Sequence, residues 1–185
     1  MITAVVGIFE KISESGIRGN GKSLTMSYYL YKDFLEGRRI YANYKLNFPS
    51  TKLNINDLTK LILKEELQNI SIGFDEIQVV LNSIGTKKEV LGPIDRLISQ
   101  TRKRNVDVYY TTQRFRNVHI RLRQQTDIVL QPYKVHVDNS ICYVDRCKKK
   151  HKIIVKSVYP FETNYLELNC QKIGELYDSN EIIFD

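Results

Sequence analysis

The chain has 185 residues, 42% of them hydrophobic and 26% charged, with 9 Gly and 4 Pro. That excludes a disordered, collagen-like or low-complexity chain. It suits one domain able to bury roughly 70% of its unfolded surface. Lys and Arg total 28 against 21 Asp and Glu, a formal charge of +7, compatible with a polyanion partner without requiring one.

Residues 4–9 form a short apolar run that reads as a strand. Such runs fall far short of the ~20 residues that cross a bilayer, and the first residues lack a basic signal-peptide region. A soluble, cytoplasmic chain is expected, unless a partner recruits it to a membrane. A glycine-bearing loop follows. Leu24, Tyr28, Tyr31 and Leu35 then recur at helical spacing, with Gly37 where a C-cap belongs. Residues 39–44 read as a second strand. Asn56 or Asp57 is the N-cap of a helix predicted to run to about residue 68.

Residues 70–74 (ISIGF) are a short apolar strand ending in Asp75-Glu76. Residues 78–92 are ambiguous, a short helix and then a loop. Pro93 suits the first turn of a helix carrying Ile94, Leu97, Ile98 and Thr101. Residues 106–110 and 128–130 are further strands. From 135 to 168 the pattern is β, with strands at 141–144 and 153–158 flanking a basic turn at 145–152. The tail from 173 is a mixed closing segment. Strands alternating with helices predict an α/β fold with a mainly parallel sheet covered on both faces, and antiparallel strands added at one edge. We read residues 1–185 as a single domain, a core of 1–131 and a β-rich extension of 132–185.

Gly16-Ile17-Arg18-Gly19-Asn20-Gly21-Lys22-Ser23 fits G-x4-G-K-[ST] at every fixed position. Glycines let the backbone turn so that successive N–H groups face phosphate oxygens, and the helix that follows adds the positive end of its dipole. Residues Gly16 to Leu24 are therefore the candidate nucleotide-binding segment. Lys22 would bring a cation to the β- and γ-phosphates, and the Ser23 hydroxyl is a hard ligand for Mg²⁺. Six residues separate the apolar run from Gly16. Either the strand extends through Ile12 or there is a small insertion.

Asp75 would sit at the end of its strand and hold Mg²⁺ with Ser23, while Glu76 would act as general base toward water. The strand at 106–110 runs into Thr111-Thr112-Gln113. A polar side chain there would lie between the two earlier strands, which makes Gln113 the candidate γ-phosphate sensor. ATP and Mg²⁺ are the cofactors these motifs imply.

Seven of the eleven Arg fall between residues 96 and 123. Guanidinium forks suit phosphate, whether of ATP or of DNA. Arg114, Arg116, Arg121 and Arg123 are candidates for tracking a nucleic-acid backbone, with the turn Lys148-Lys149-Lys150 as a second basic patch. A solvated face is the bland alternative for each.

The three Cys are Cys142, Cys147 and Cys170. An odd count argues against a secreted disulfide framework. The spacing C-x4-C-x3-H to His151 matches no common zinc finger, and a fourth ligand would have to be His136 or Cys170. The expectation is thiols in strands, or a disulfide in a hyperthermophilic host.

GIRGNGKS, the strand with Tyr41-Ala42-Asn43, ISIGFDE, TRKRNVDVYYTTQ and the closing LYDSNE at 176–181 resemble the HerA/FtsK superfamily of P-loop ATPases. The similarity is to viral genome-packaging ATPases and the zonula occludens toxin-like branch of filamentous phage assembly. It implies a RecA-like core with an additional strand and a catalytic glutamate, a homo-oligomeric ring, expected as a hexamer, and ATP-driven movement of double-stranded DNA. It also implies an arginine finger in trans, for which Arg102 or Arg104 is the candidate, because the helix end beside the sensor strand faces a ring neighbour in related motors. Zonula occludens toxin-like proteins usually carry a transmembrane helix after the ATPase, which is not seen here, so a packaging motor, with a capsid partner, is the preferred expectation. The alternatives are an ATPase of virion assembly or extrusion at a membrane protein, a small-molecule kinase, and a non-enzymatic nucleic-acid-binding module.

Overall fold

A computed structural model describes residues 1–8, 20–53, 67–81, 88–101, 103–142, 147–159, 165–169 and 173–176. Residues 56–66 of the helix expected at 56–68 and the residues after 176 lie outside the described residues, as do Gly16 to Gly19 and Arg102.

The apolar runs become strands buried on both faces. β1 (Ile2–Ile8) turns Ala4 and Val6 toward one cluster of core side chains and Val5 toward another. The other strands are β2 (Arg39–Ala42), β3 (Thr51–Lys52), β4 (Ile70–Phe74), β5 (Val106–Arg114), β6 (Ile128–His136), β7 (His151–Tyr159) and β8 (Tyr165–Asn169). They form one sheet in the order β3-β2-β4-β5-β1-β6-β7-β8. Every neighbour pair from β3 to β6 is parallel; β6–β7 and β7–β8 are antiparallel. The boundary placed at residue 131 falls inside β6, which pairs with β1 by its first half and with β7 along most of its length.

Helices cover both faces. α1 (Lys22–Leu35) packs Leu24, Met26 and Leu30 with Val5, Ile40, Ala42 and Tyr109. On the opposite face Ile94 and Leu97 of α2 (Lys88–Gln100) and Leu122 of α3 (Ile120–Gln124) pack with Ala4, Val6, Ile72 and Val108.

Four sequence expectations need correction. The buried stripe of α1 runs through Met26, Leu30 and Asp33, whereas Leu35 is 66% exposed. Small polar side chains make that face packable: Thr25 and Ser27 donate back to the Gly21 and Ser23 carbonyls, each at 2.8 Å, and so enter the core satisfied. Pro93 lies inside α2, beyond its first turn. The missing N–H breaks the ladder locally, but Leu91 packs on the core and carries the helix upstream of it. β5 and β6 are longer than expected, and β5 takes in Thr111 to Gln113. Of the strand expected at 141–144, Ile141 makes one isolated bridge to Val135 and Cys142 is outside any strand, while residues 143–146 lie outside the described set. Cys142 and Cys147 are therefore not in a strand.

α1 ends as Gly37 promised. At φ +83° it occupies the left-handed region. Its N–H donates to Phe34 O at 3.0 Å and that of Arg38 to Asp33 O at 3.1 Å, the paired bonds of a Schellman cap. Beyond the cap lies a polar network. Ser71 donates to Asp33 Oδ2 at 2.6 Å, and Arg38 Nε donates to Ser71 at 2.8 Å. Arg38 Nη2 also donates to the Ile70 and Asn105 carbonyls, and Nη1 lies 3.2 Å from Asp107 Oδ2. The Met1 ammonium completes it, 2.7 Å from Asp107 Oδ1. This network ties α1 to the starting ends of β4 and β5.

Candidate active site

Parallel strands present all their carboxyl ends on one side, and there the ligand-binding crevice of such sheets forms. β5 lies between β1 and β4, so Gln113 on β5 comes between the carboxyl end of β1 and the acidic pair after β4. Chain topology alone brings three separated motifs together.

Lys22 opens α1. It is 6% exposed, its Nζ donates to Gln113 Oε1 at 3.1 Å, and Asn20 Oδ1 stands at 3.5 Å. Burial pushes the ammonium below the usual lysine range, opposed by the charges of Glu76 and Asp75. Gly21 caps the helix at φ +90°. That backbone conformation favours glycine, and a Cβ there would also stand 2.0 Å from Ile153 Cδ1, which would have to turn aside.

Asp75 is buried and held on every side. Its N–H donates to Asn43 Oδ1 at 2.7 Å, and Asn43 Nδ2 donates to the Asp75 carbonyl at 3.0 Å. Thr111 Oγ1 donates to Oδ1 at 2.5 Å. The Ser23 hydroxyl donates to the carboxylate, 2.9 and 3.1 Å from its two oxygens. Burial raises the Asp75 carboxyl above the usual carboxylate range, opposed by the Thr111 and Ser23 hydrogen bonds.

Glu76 takes the left-handed backbone conformation, φ +51° and ψ +48°, uncommon for a residue other than glycine. Its N–H donates to Thr111 Oγ1 at 2.8 Å. Its carboxylate accepts from Gln113 Nε2 at 2.9 Å and from Gln78 Nε2. Gln113 thus bridges Lys22 to Glu76 by its two amide atoms. A backbone so placed at a site of convergent polar groups is a strained geometry that the surroundings hold in place.

Asn20, Lys22, Ser23, Asp75, Glu76 and Gln113 are therefore brought together, with Gly21 and Leu24 alongside in α1 and its cap. Arg104 is not. Its carbonyl accepts from Asn69 N at 3.2 Å, at the starting ends of β4 and β5, across the sheet from Gln113. Arg114 and Arg116 are exposed at the carboxyl end of β5. Arg121 is ion-paired with Asp95, and Arg123 Nε donates to the Val118 carbonyl at 2.9 Å. Lys148, Lys149 and Lys150 are exposed in the β6–β7 connection.

Sequence reasoning missed the roles of Thr111 and Asn43. The available signal was a hydroxyl two residues before Gln113 on the same strand, and an amide at the end of β2. Period 2 along β5 puts Thr111 and Gln113 on one side. The Asn43–Asp75 pair follows only from knowing that β2 neighbours β4.

No protein-family model and no curated protein matches the sequence. Solved structures do. The N-terminal domain of zonular occludens toxin from Neisseria meningitidis matches with a TM-score of 0.61 at 17% identity, covering 96% of this chain and 98% of that one. The genome-packaging NTPase B204 of Sulfolobus turreted icosahedral virus 2, in complex with sulfate, matches at 0.52 and 12%, covering 91% and 95%. The flagellar accessory protein FlaH of Methanocaldococcus jannaschii matches at 0.53 and 9%, covering 91% and 84%.

The chain has the fold of the RecA-like P-loop NTPases. Within that fold Asn20 to Ser23, Asp75 with Glu76, and Gln113 stand together at the carboxyl end of the sheet. Among the described residues no helix is long and apolar enough to cross a membrane.

Proposed function

We propose that the chain is a Mg·ATP-dependent ATPase whose site is built by Lys22, Ser23, Asp75, Glu76 and Gln113. The carrying observation is the bridge Lys22–Gln113–Glu76 beside the Ser23–Asp75 pair. A buried cation, a hydroxyl–carboxylate pair of hard oxygens and a second carboxylate within one crevice match the needs of phosphoryl transfer to water. Lys22 binds phosphate oxygens and stabilises the charge that spreads over the transferring group. Ser23 and Asp75 fit Mg²⁺, since both offer oxygens and Asp75 is costly to leave as a buried anion. Mg²⁺, when bound, neutralises charge on the phosphate oxygens. Glu76 accepts the proton of a water whose oxygen forms the new bond to the γ-phosphorus as the bond to the bridging oxygen breaks. Gln113 reports the γ-phosphate to Glu76, since one amide touches both Lys22 and Glu76.

Deeper in the same reading, the protein is a DNA translocase, a homo-oligomeric ring, taken as a hexamer, that packages a viral double-stranded genome. The support is the B204 likeness, the exposed Arg114, Arg116 and Lys148–Lys150, and Arg104 at the end of the sheet opposite Gln113, as a finger acting in trans would require. Arg102 is the other finger candidate. A second reading, an ATPase of virion assembly at a membrane, is favoured by the longer match to the zonular occludens toxin domain.

The test is ATP turnover of the purified chain with and without double-stranded DNA over a salt series. DNA-stimulated turnover that falls steeply as salt rises supports translocation, because backbone contacts release counterions. Turnover indifferent to DNA supports the membrane reading, and absent turnover overturns both.

A further inference from the structure

β6 ends at His136, β7 begins at His151, and the hairpin register sets these two residues directly opposite one another. Their rings lie with centroids 4.8 Å apart. Residues 137–150 connect them and carry Cys142 and Cys147. The connection folds back on β6: Ile141 bridges Val135, and the Cys142 N–H donates to Lys134 O at 2.8 Å. One donor atom from each of His136, Cys142, Cys147 and His151 then lies within 4.8 Å of the other three.

We propose that His136, Cys142, Cys147 and His151 form a structural zinc site that staples the β6–β7 connection. Tetrahedral zinc with Zn–S of about 2.3 Å and Zn–N of about 2.1 Å sets sulfur and nitrogen about 3.6 Å apart. Cys147 Sγ stands 3.6 Å from His136 Nε2. The longest separation in the group exceeds the S···S edge of about 3.8 Å by about 1 Å, within reach of side-chain rotation.

The surroundings prepare the ligands. His136 Nδ1 lies 3.1 Å from Ser140 Oγ, which donates to Asp138 Oδ1 at 2.6 Å. That chain holds the proton on Nδ1 and leaves the Nε2 lone pair toward the sulfur, as supporting hydrogen bonds do at zinc sites. The tautomer is thereby fixed by a hydroxyl and a carboxylate. His151 Nε2 is buried with no hydrogen-bond partner among the described residues. A buried ring nitrogen left so is costly unless something accepts its lone pair. Cys142 is also buried.

The donor set selects the metal. Two thiolates and two neutral imidazoles suit a borderline-soft, tetrahedral ion, and they leave no open position for substrate. Two thiolates cancel the charge of Zn²⁺, so the closed site is neutral among the lysines. The sequence names these residues, with His136 as one of two possible fourth ligands, but their spacing matches no common finger because strand register delivers the first His ligand. The consequence is mechanical: the metal would hold exposed Lys148, Lys149 and Lys150 in one geometry at the hairpin end. This inference is independent of the ATPase reading.

The test is metal analysis of the 185-residue chain purified without chelator, with cobalt(II) titration of the chelator-treated chain. The result expected is about one zinc per chain and visible d–d bands of tetrahedral cobalt bound by thiolate. Cys147→Ser and His136→Asn should weaken zinc binding at least about 100-fold, and Ser140→Ala about 10-fold. Cys170→Ser should leave it unchanged. If a ligand variant fails to fold, the wild-type cobalt spectrum still decides. Zinc-free wild-type chain without cobalt bands, a Cys142–Cys147 disulfide in the intact mass, or undiminished zinc in Cys147→Ser would overturn the proposal.

Discussion

The two ends of the parallel sheet both bury charge, and they do so to different effect. At the starting ends of β4 and β5, Arg38 spends its guanidinium on Ser71, two backbone carbonyls and Asp107. The charges of Arg38, Asp107 and the Met1 ammonium there neutralise one another. At the carboxyl ends, Lys22 is bonded to an uncharged amide, and Asp75 and Glu76 stand side by side with hydroxyls and amides as partners. Those are contacts a triphosphate and a cation can replace. The first network is saturated and serves the fold, whereas the second is exchangeable, as the proposed nucleotide site requires.

Substitutions should separate the two ends. The largest effect is expected from Lys22→Ala, which removes the buried cation. ATP kcat/KM should fall by at least about 10³, worth roughly 4 kcal/mol of transition-state stabilisation, while the melting temperature moves less than for a change at the other end. Comparable turnover in this variant would break the distinction. Arg38→Ala should do the reverse. Leaving Asp107 and the Ile70 carbonyl without their donor should cost about 3 kcal/mol in denaturant unfolding, with turnover per folded molecule preserved. A loss under about 1 kcal/mol would mean the network is ornamental.

A smaller, pH-dependent effect belongs to Asp75. Burial raises its carboxyl in the folded chain, so the folded state binds a proton that the unfolded chain has released. Stability from this group therefore rises as pH falls through the raised value, and levels off near the unfolded value of about 3.9. Nucleotide-free Asp75→Asn should melt above wild type at about pH 8, and the gap should narrow toward about pH 5. A gap that widens on acidification would show that the ionised carboxylate is stabilising. Asp33 is also raised by burial, so the comparison with the variant, not the wild-type slope alone, isolates Asp75.

Much of this was legible in the residues, and the exceptions share a cause. Gly21-Lys22-Ser23, the strand ending in Asp75-Glu76, and Gln113 could be placed because each motif is local and strands alternate with helices. The parallel sheet with antiparallel strands at one edge followed from the same alternation. What escaped depends on neighbours distant in the chain. Asn43 meets Asp75 because β2 lies beside β4, and His136, open in the sequence as an alternative to Cys170, is set opposite His151 by hairpin register. The buried face of α1 was misread because large side chains were weighed over Thr25 and Ser27, whose hydroxyls are satisfied by their own helix.

The account rests on Glu76 facing the water that attacks ATP, so the most direct measurement is single-turnover hydrolysis by Glu76→Gln alongside nucleotide binding to the same protein. The substituted amide keeps size and hydrogen bonding but cannot take the proton. We predict ATP affinity within about threefold of wild type and hydrolysis slowed by at least about 10², the lower range for a lost general base. Hydrolysis at the wild-type rate would contradict the assignment and, with it, the catalytic reading of the carboxyl end of the sheet.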